Sequence, residues 1–238
     1  MGNTATSHFV ALGPTAPDRT QGNRAEDLVH SLPLLVTQAE RLIELGVHRP
    51  AGMPADELRA WAEEAEGRSG DALLAVHPDR APASALAPLL RQDAKPGFVV
   101  TDMPDVDRFA PLDGIALPDA PLYVVTGLDR GDHMANWSPE EALPALTEQD
   151  RTPLLLTEGI HWVLQQPAAL ERNHCFMTIG SRLRKANGAL DARTPAIWIS
   201  NGTGRDGRER RNAPKVGWGW WGNRHTWLGF ASAAVRKP

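Results

Sequence analysis

The chain has 238 residues, 42% of them apolar and 23% charged, with a formal net charge of −4. That composition excludes a disordered polymer, a collagen-like fibre and a membrane bundle, and the length suits one domain with a short preface. Charge is unevenly spread: residues 182–238 sum to +9 and residues 1–181 to −13, so an acidic body carries a basic end.

In chain order, residues 1–25 are rich in Thr, Gly, Pro and Asn without a period, and read as a flexible lead-in. Residues 26–238 read as a single α+β domain, with a helical preface over 26–68 and a main body over 70–238. Leu28, Leu32, Leu35, Ala39 and Leu42 repeat at helical spacing, which predicts a helix capped at Ser31, with Pro33 in its first turn, and stopped at Gly46. A second helix is expected from Pro54, with Asp56 and Glu57 facing the positive end of its dipole. After Gly70 the pattern predicts strands at Leu73–His77 and Gly97–Thr101 around a short helix at Ala83–Leu90. Pro121–Thr126 is the strongest strand signal, with Tyr and paired Val.

Ser138-Pro139-Glu140-Glu141 combines a Ser cap, a Pro at the first helical position and a Glu at the third, which predicts a capping box and a helix to about Leu146. A helix over Thr157–Gln165 and a helical turn from Pro167 to Glu171 follow. Strands are then expected at Cys175–Ile179, Ala196–Ser200, Val216–Trp221 and Trp227–Ala231. Helices early and strands late favour an α+β fold with a mixed or antiparallel sheet over a doubly wound one. Gly222-Asn223 is turn chemistry, so Val216–Trp221 and Thr226–Ala231 are expected to close a C-terminal Trp-rich hairpin with Arg224 and His225 at its tip.

Familiar chemical motifs fail on context. Gly202-Thr203-Gly204-Arg205-Asp206-Gly207 matches a dinucleotide fingerprint, but a basic, proline-ended stretch follows where an apolar helix is needed, so a hairpin loop is expected. Glu158/His161 and Glu171/His174 have metal-ligand spacing, yet Pro167 separates the pairs and the further carboxylates are missing. No metal and no cofactor is therefore expected. Cys175 is the only cysteine and reads as a small buried hydrophobe.

Two features carry a functional reading. The loop Asp129-Arg130-Gly131-Asp132-His133 follows the best strand, where polar side chains can project into a cleft. Asp129 or Asp132 would act as acid or base with His225, and Arg130 would clamp an anion. Eight Trp stand against one Tyr, and five of them (Trp198, Trp218, Trp220, Trp221, Trp227) lie in the basic end. Gly217 and Gly219 alternate there with Trp218 and Trp220, which would bare one face of the strand to a flat ligand. With His174, Arg224 and Trp227, these residues outline a candidate cleft.

The stretches LYVVTGLDRGDHMANWSPEEALPAL, TPLLLTEGI, NHCFMTIGSR and PKVGWGWWGNRHTWLGFASAA, in that order over roughly residues 95–235, resemble an actinobacterial protein family of unknown function. The resemblance implies a bacterial cytosolic protein and assigns no catalytic or binding residue. The residues themselves point to a cytoplasmic protein that binds a small polar or anionic molecule in a Trp/His/Asp-lined cleft. Hydrolase- or lyase-like acid/base catalysis is the chemistry open to it. The alternative is a module that uses the basic Trp-rich end for single-stranded nucleic acid or for a protein. No membrane partner is expected, since no apolar run approaches the roughly 20 residues that span a bilayer.

Overall fold

A computed structural model of the chain describes residues 31–66 and 71–238. The predicted lead-in and Leu28 lie outside the described residues. The helices are α1 (Leu35–Glu44), α2 (Ala55–Glu66), α3 (Ala83–Leu86), α4 (Pro139–Glu148) and α5 (Leu156–Gln165). The first seven strands are β1 (Ala72–Val76), β2 (Arg91–Gln92), β3 (Lys95–Pro96), β4 (Phe98–Val99), β5 (Phe109–Pro111), β6 (Leu122–Thr126) and β7 (Thr152–Pro153). The rest are β8 (Cys175–Met177), β9 (Ser181–Leu183), β10 (Arg193–Ile199), β11 (Pro214–Trp220), β12 (Leu228–Phe230), β13 (Ser232–Ala233) and β14 (Val235–Lys237). The architecture is the expected α+β mix of early helices and later sheets.

Helix α1 starts later than its stripe suggests. The Leu32 N–H is held by Asp71 Oδ1 at 2.8 Å and the Pro33 carbonyl by Gln38 Nε2 at 2.7 Å, so Leu34 stays extended and the helix opens at Leu35. Its inner face (Leu35, Gln38, Ala39, Leu42) packs on β1. Both early helices contribute to the same hydrophobic core as the later sheets. Helix α4 has the predicted capping box: Ser138 Oγ accepts the Glu141 N–H, and Glu141 Oε2 accepts the Ser138 N–H at 2.9 Å.

One sheet runs β1-β6-β14, antiparallel throughout, and places the last strand of the chain beside the strongest predicted one. The outer edge of β1 is closed by side chains. Gln38 accepts the Leu74 N–H at 2.9 Å and donates to the Ala72 carbonyl at 2.7 Å, while His161 Nε2 accepts the Val76 N–H at 3.3 Å. His161 Nδ1 lies 2.8 Å from the Thr157 carbonyl, which can only accept, so the ring is the neutral Nδ1–H tautomer.

The larger sheet has the order β12-β8-β10-β11-β4 and is mixed. Strands β10 and β11 pair antiparallel along their whole length, and residues 200–213, which contain the fingerprint-like glycines, connect them as the expected loop. The predicted C-terminal hairpin does not form. Strand β12 pairs parallel with β8, and both β8 and β10 lie between it and β11. The Gly222-Asn223 turn is present, but the chain leaving it is drawn aside: the His225 carbonyl accepts the Asn136 N–H and Arg224 pairs with Glu141 on α4.

A buried polar knot ties α5 to the chain end. Glu158, fully buried, receives Arg236 Nε at 2.6 Å and Nη2 at 2.7 Å, the Tyr123 hydroxyl at 2.9 Å and the Leu155 N–H at 2.8 Å. Arg236 also donates to Thr152 Oγ1 and the Pro153 carbonyl, so nearly every hydrogen-bonding position of the pair is used. Glu158 and His161 thus face separate partners. Among the described residues there is no cluster of three or more metal-ligating side chains, and no helix is long and apolar enough to cross a membrane.

Candidate functional site

The loop after β6 rests directly on β12. Gly131 has φ 73°, and a Cβ there would meet the Phe230 carbonyl oxygen at 2.3 Å, so only glycine fits. Asp129 is used inside the loop, where its Oδ1 accepts the Gly131 N–H at 2.7 Å. Arg130 holds Asp132 through Nε at 2.9 Å and Nη2 at 2.7 Å, donates Nη1 to the Ala169 carbonyl, and brings Nη2 within 3.2 Å of His174 Nδ1. Arg130, Asp132 and His174 therefore converge, as an ion-pair cluster whose carboxylate and imidazole are exposed.

The remaining expected site residues form a second group around β11. Trp198 covers Gly217 and His225 covers Gly219: a Cβ on these glycines would come within 2.6 Å of the Trp198 ring and 3.4 Å of His225 Nε2. Trp227 packs edge-on to both rings, with centroids 6.2 Å from Trp198 and 5.8 Å from His225. The face bared by the glycines is thus filled from within the chain. Burial lowers the His225 pKa, and its Nε2 has no partner. On the opposite face Trp218 and Trp220 meet edge to face at 4.5 Å, with Trp218 half-buried and Trp220 47% exposed. Arg224 is engaged with Glu141. Among the described residues no hydrogen bond joins His225 to Asp129 or Asp132.

A different arginine occupies the most unbalanced electrostatic position. Strand β9 pairs antiparallel with β5, so its side chains alternate, and Arg182 points away from Ser181 and Leu183. Arg182 is 5% exposed and lies over the Trp221 ring, its guanidinium carbon 4.0 Å from the centroid. Among the described residues its side chain makes one hydrogen bond, from Nη2 to the Asp191 carbonyl at 2.6 Å, and its Nε–H is buried without a partner. No described carboxylate forms an ion pair with it, and burial lowers its pKa, partly offset by the more distant Asp191 charge. Arg182 and Trp221 line a cavity of about 360 Å³ with Leu112, Leu143, Leu190, Asp191 and Ala192. The arrangement offers an anchored, planar cation against an aromatic face, with leucines around it.

The candidate cleft inferred from the sequence did not include Arg182 or Trp221. A signal for Trp221 exists: in the doublet Trp220-Trp221 the strand period sends one ring to the side opposite Trp218 and Trp220. Arg182 carries no such mark, since its burial depends on Trp221 arriving from forty residues downstream.

Much of the charge of the basic end is paired within the chain, at the surface for Arg184, Arg205 and Arg224 and largely buried for Arg193, Lys215 and Arg236. Arg184, Arg193, Arg205, Arg224 and Arg236 pair with Asp113, Asp105, Asp102, Glu141 and Glu158 of the acidic body, and Lys215 pairs with Asp206. Cys175 is buried, and its thiol is pushed up to about 11, so it is protonated at neutral pH.

Comparison with curated proteins and with solved structures gives no match. A family model described as a family of unknown function, DUF5701, matches residues 41–238, and the chain belongs to that family.

Proposed function

We propose that this member of the DUF5701 family binds a small anionic molecule with an apolar portion, its carboxylate or phosphate on Arg182 and its apolar part against Trp221, Leu112, Leu143 and Leu190. The observation that carries the reading is the buried guanidinium of Arg182, held by one carbonyl and paired with no described carboxylate. A buried, underneutralised cation costs stability, and an incoming anion would supply the missing partner through charge-assisted hydrogen bonds. The pairing of Arg184, Arg193, Arg205, Lys215, Arg224 and Arg236 with carboxylates supports a small-molecule site over a nucleic-acid track, since it leaves fewer cations of the basic end to meet phosphates. The scattered engagement of Asp129, Asp132 and His225 supports binding rather than turnover. We further propose a cytoplasmic location in an actinobacterium, supported by the free, buried thiol of the single cysteine and by the resemblance of stretches such as PKVGWGWWGNRHTWLGFASAA to an actinobacterial family.

The test is tryptophan fluorescence and thermal melting against benzoate, hexanoate and phenyl phosphate, each beside its neutral amide or alcohol. Anionic members should quench fluorescence and raise Tm. Arg182→Met should weaken them by about tenfold to a hundredfold, the worth of charge-assisted hydrogen bonds. The variant itself should melt no lower than the parent, because it removes an unpaired buried charge. Equal binding of neutral analogues, or unchanged binding by Arg182→Met, would overturn the reading.

A further inference from the structure

The cavity beside Arg182 carries a second fixed charge. Asp191 lines it too, and its backbone is fastened on both sides: its N–H donates to the Leu183 carbonyl at 2.8 Å, and its carbonyl accepts Arg182 Nη2 at 2.6 Å. The side chain is pinned as well. Oδ1 accepts the Arg193 N–H at 2.8 Å and Arg193 Nε at 3.1 Å. Oδ2 takes no described hydrogen bond and stays within reach of solvent, the side chain being 17% exposed. Arg182 has a matching free end: Nη1 has no described partner and, unlike the buried Nε, is open to solvent. One acceptor and one donor, both accessible, are thus held on the same cavity.

The two charges do not neutralise each other. The Asp191 carboxylate is too far from the Arg182 guanidinium to pair with it, yet near enough for its charge to be felt there. Arg193 does not neutralise Asp191 either, because it also holds Asp105 through Nη1 at 2.9 Å and Nη2 at 2.7 Å. Two carboxylates on one guanidinium keep one negative charge, and Lys185 acts on Asp191 only from the exposed surface. Burial raises the Asp191 pKa, but the bonds from the Arg193 backbone and side chain more than offset it, so the carboxylate is ionised at neutral pH. A plain anion seated on Arg182 would therefore lie near a carboxylate that repels it.

We infer that the Arg182 cavity takes an apolar α-amino acid of the leucine or phenylalanine kind. The inference rests on the reading of that cavity as an anion site and names its ligand class. In an α-amino acid a single carbon separates ammonium from carboxylate, so the two charges can meet neighbouring protein groups of opposite sign. The ligand carboxylate accepts from Arg182, and the ammonium donates to Asp191 Oδ2. The side chain packs among Leu112, Leu143 and Leu190. Both protein charges then gain the partner that the chain itself does not give them.

Isothermal titration of the full chain with L-leucine and L-phenylalanine tests the inference, beside leucinol and isoamylamine, which keep the ammonium and lack the carboxylate. At least one amino acid should bind at millimolar concentration or below, and the two amines at least about tenfold more weakly. Asp191→Asn keeps an Oδ1 for Arg193, so it should melt close to the parent while losing about tenfold or more of the amino-acid affinity. A plain anion would gain from the same change, so the direction of the effect separates the two ligand classes. On the unaltered protein, affinity should fall as pH rises through the amine pKa of the ligand, which turns the zwitterion into a plain anion. Arg182→Met should weaken the same amino acids by about tenfold or more. Loss in Arg182→Met with full affinity in Asp191→Asn would overturn the amino-acid class and leave the anion site standing. Full affinity in Arg182→Met would overturn both. Absence of amino-acid binding to the parent, or affinity that holds or rises above the amine pKa, would overturn this inference alone.

Discussion

A buried side chain in this protein is defined by what its polar atoms meet. His161 is the clearest case. It is fully buried, neutral, and bonded only to backbone, and burial holds its pKa at about 4 against an ordinary 6.5. Between those values the unfolded chain takes up a proton that the folded ring refuses. His161 therefore favours the fold fully above pH 6.5, and that contribution drains away as pH falls towards 4. The difference is on the order of 3 kcal/mol. Urea denaturation at a series of pH values should show this slope in the parent. His161→Gln should be less stable at pH 7 but flatter across the same window; an unchanged slope would assign it to other groups. Of this detail the sequence shows only a histidine on a helix. Its Glu-x-x-His spacing suggested a ligand pair, and nothing local reveals that Glu158 turns to Arg236 while His161 turns to β1.

Elements were legible where local chemistry decides them. Ser138, Pro139 and Glu141 announce α4, and its capping box forms as read. The alternation of Gly217, Trp218, Gly219 and Trp220 marks β11. Pairing was not legible, because partners are chosen by contacts far apart in the chain. The Gly222-Asn223 turn looks like a hairpin, yet Glu141 and Asn136 divert the segment behind it, and β12 joins β8. The loop Asp129–His133 depends on the same placement of β12. Gly131→Ala would put a methyl 2.3 Å from the Phe230 carbonyl at φ 73°. It should cost on the order of 3 kcal/mol in chemical denaturation and detach the Arg130–Asp132–His174 cluster from β12. A near-neutral effect would mean that the loop is not seated as described.

For the molecule as a whole, the uneven charge read at the outset serves as internal fastening. The last strand closes the fold: β14 pairs with β6, and Arg236 enters the core to meet Glu158. Truncating Arg236 to Met would leave Glu158 buried without its cation and should cost about 3–5 kcal/mol. The double change with Glu158→Gln should recover part of that loss, measured in a double-mutant cycle. Exposed pairs such as Arg184–Asp113 should matter far less.

The closed edge of β1 has a further consequence. Ala-Leu-Leu-Ala-Val is uncharged and entirely buried, the kind of strand that recruits another chain when its edge is bare. Gln38 and His161 act as gatekeepers against that recruitment. A protonated His161 can no longer accept the Val76 N–H, so acid should unlatch the edge before the rest of the fold is lost. Below about pH 4 the parent should then scatter light in a concentration-dependent way, and Val76→Lys, which charges the strand, should suppress it. Clear, monomeric acid unfolding would show that the edge stays guarded by Gln38 alone.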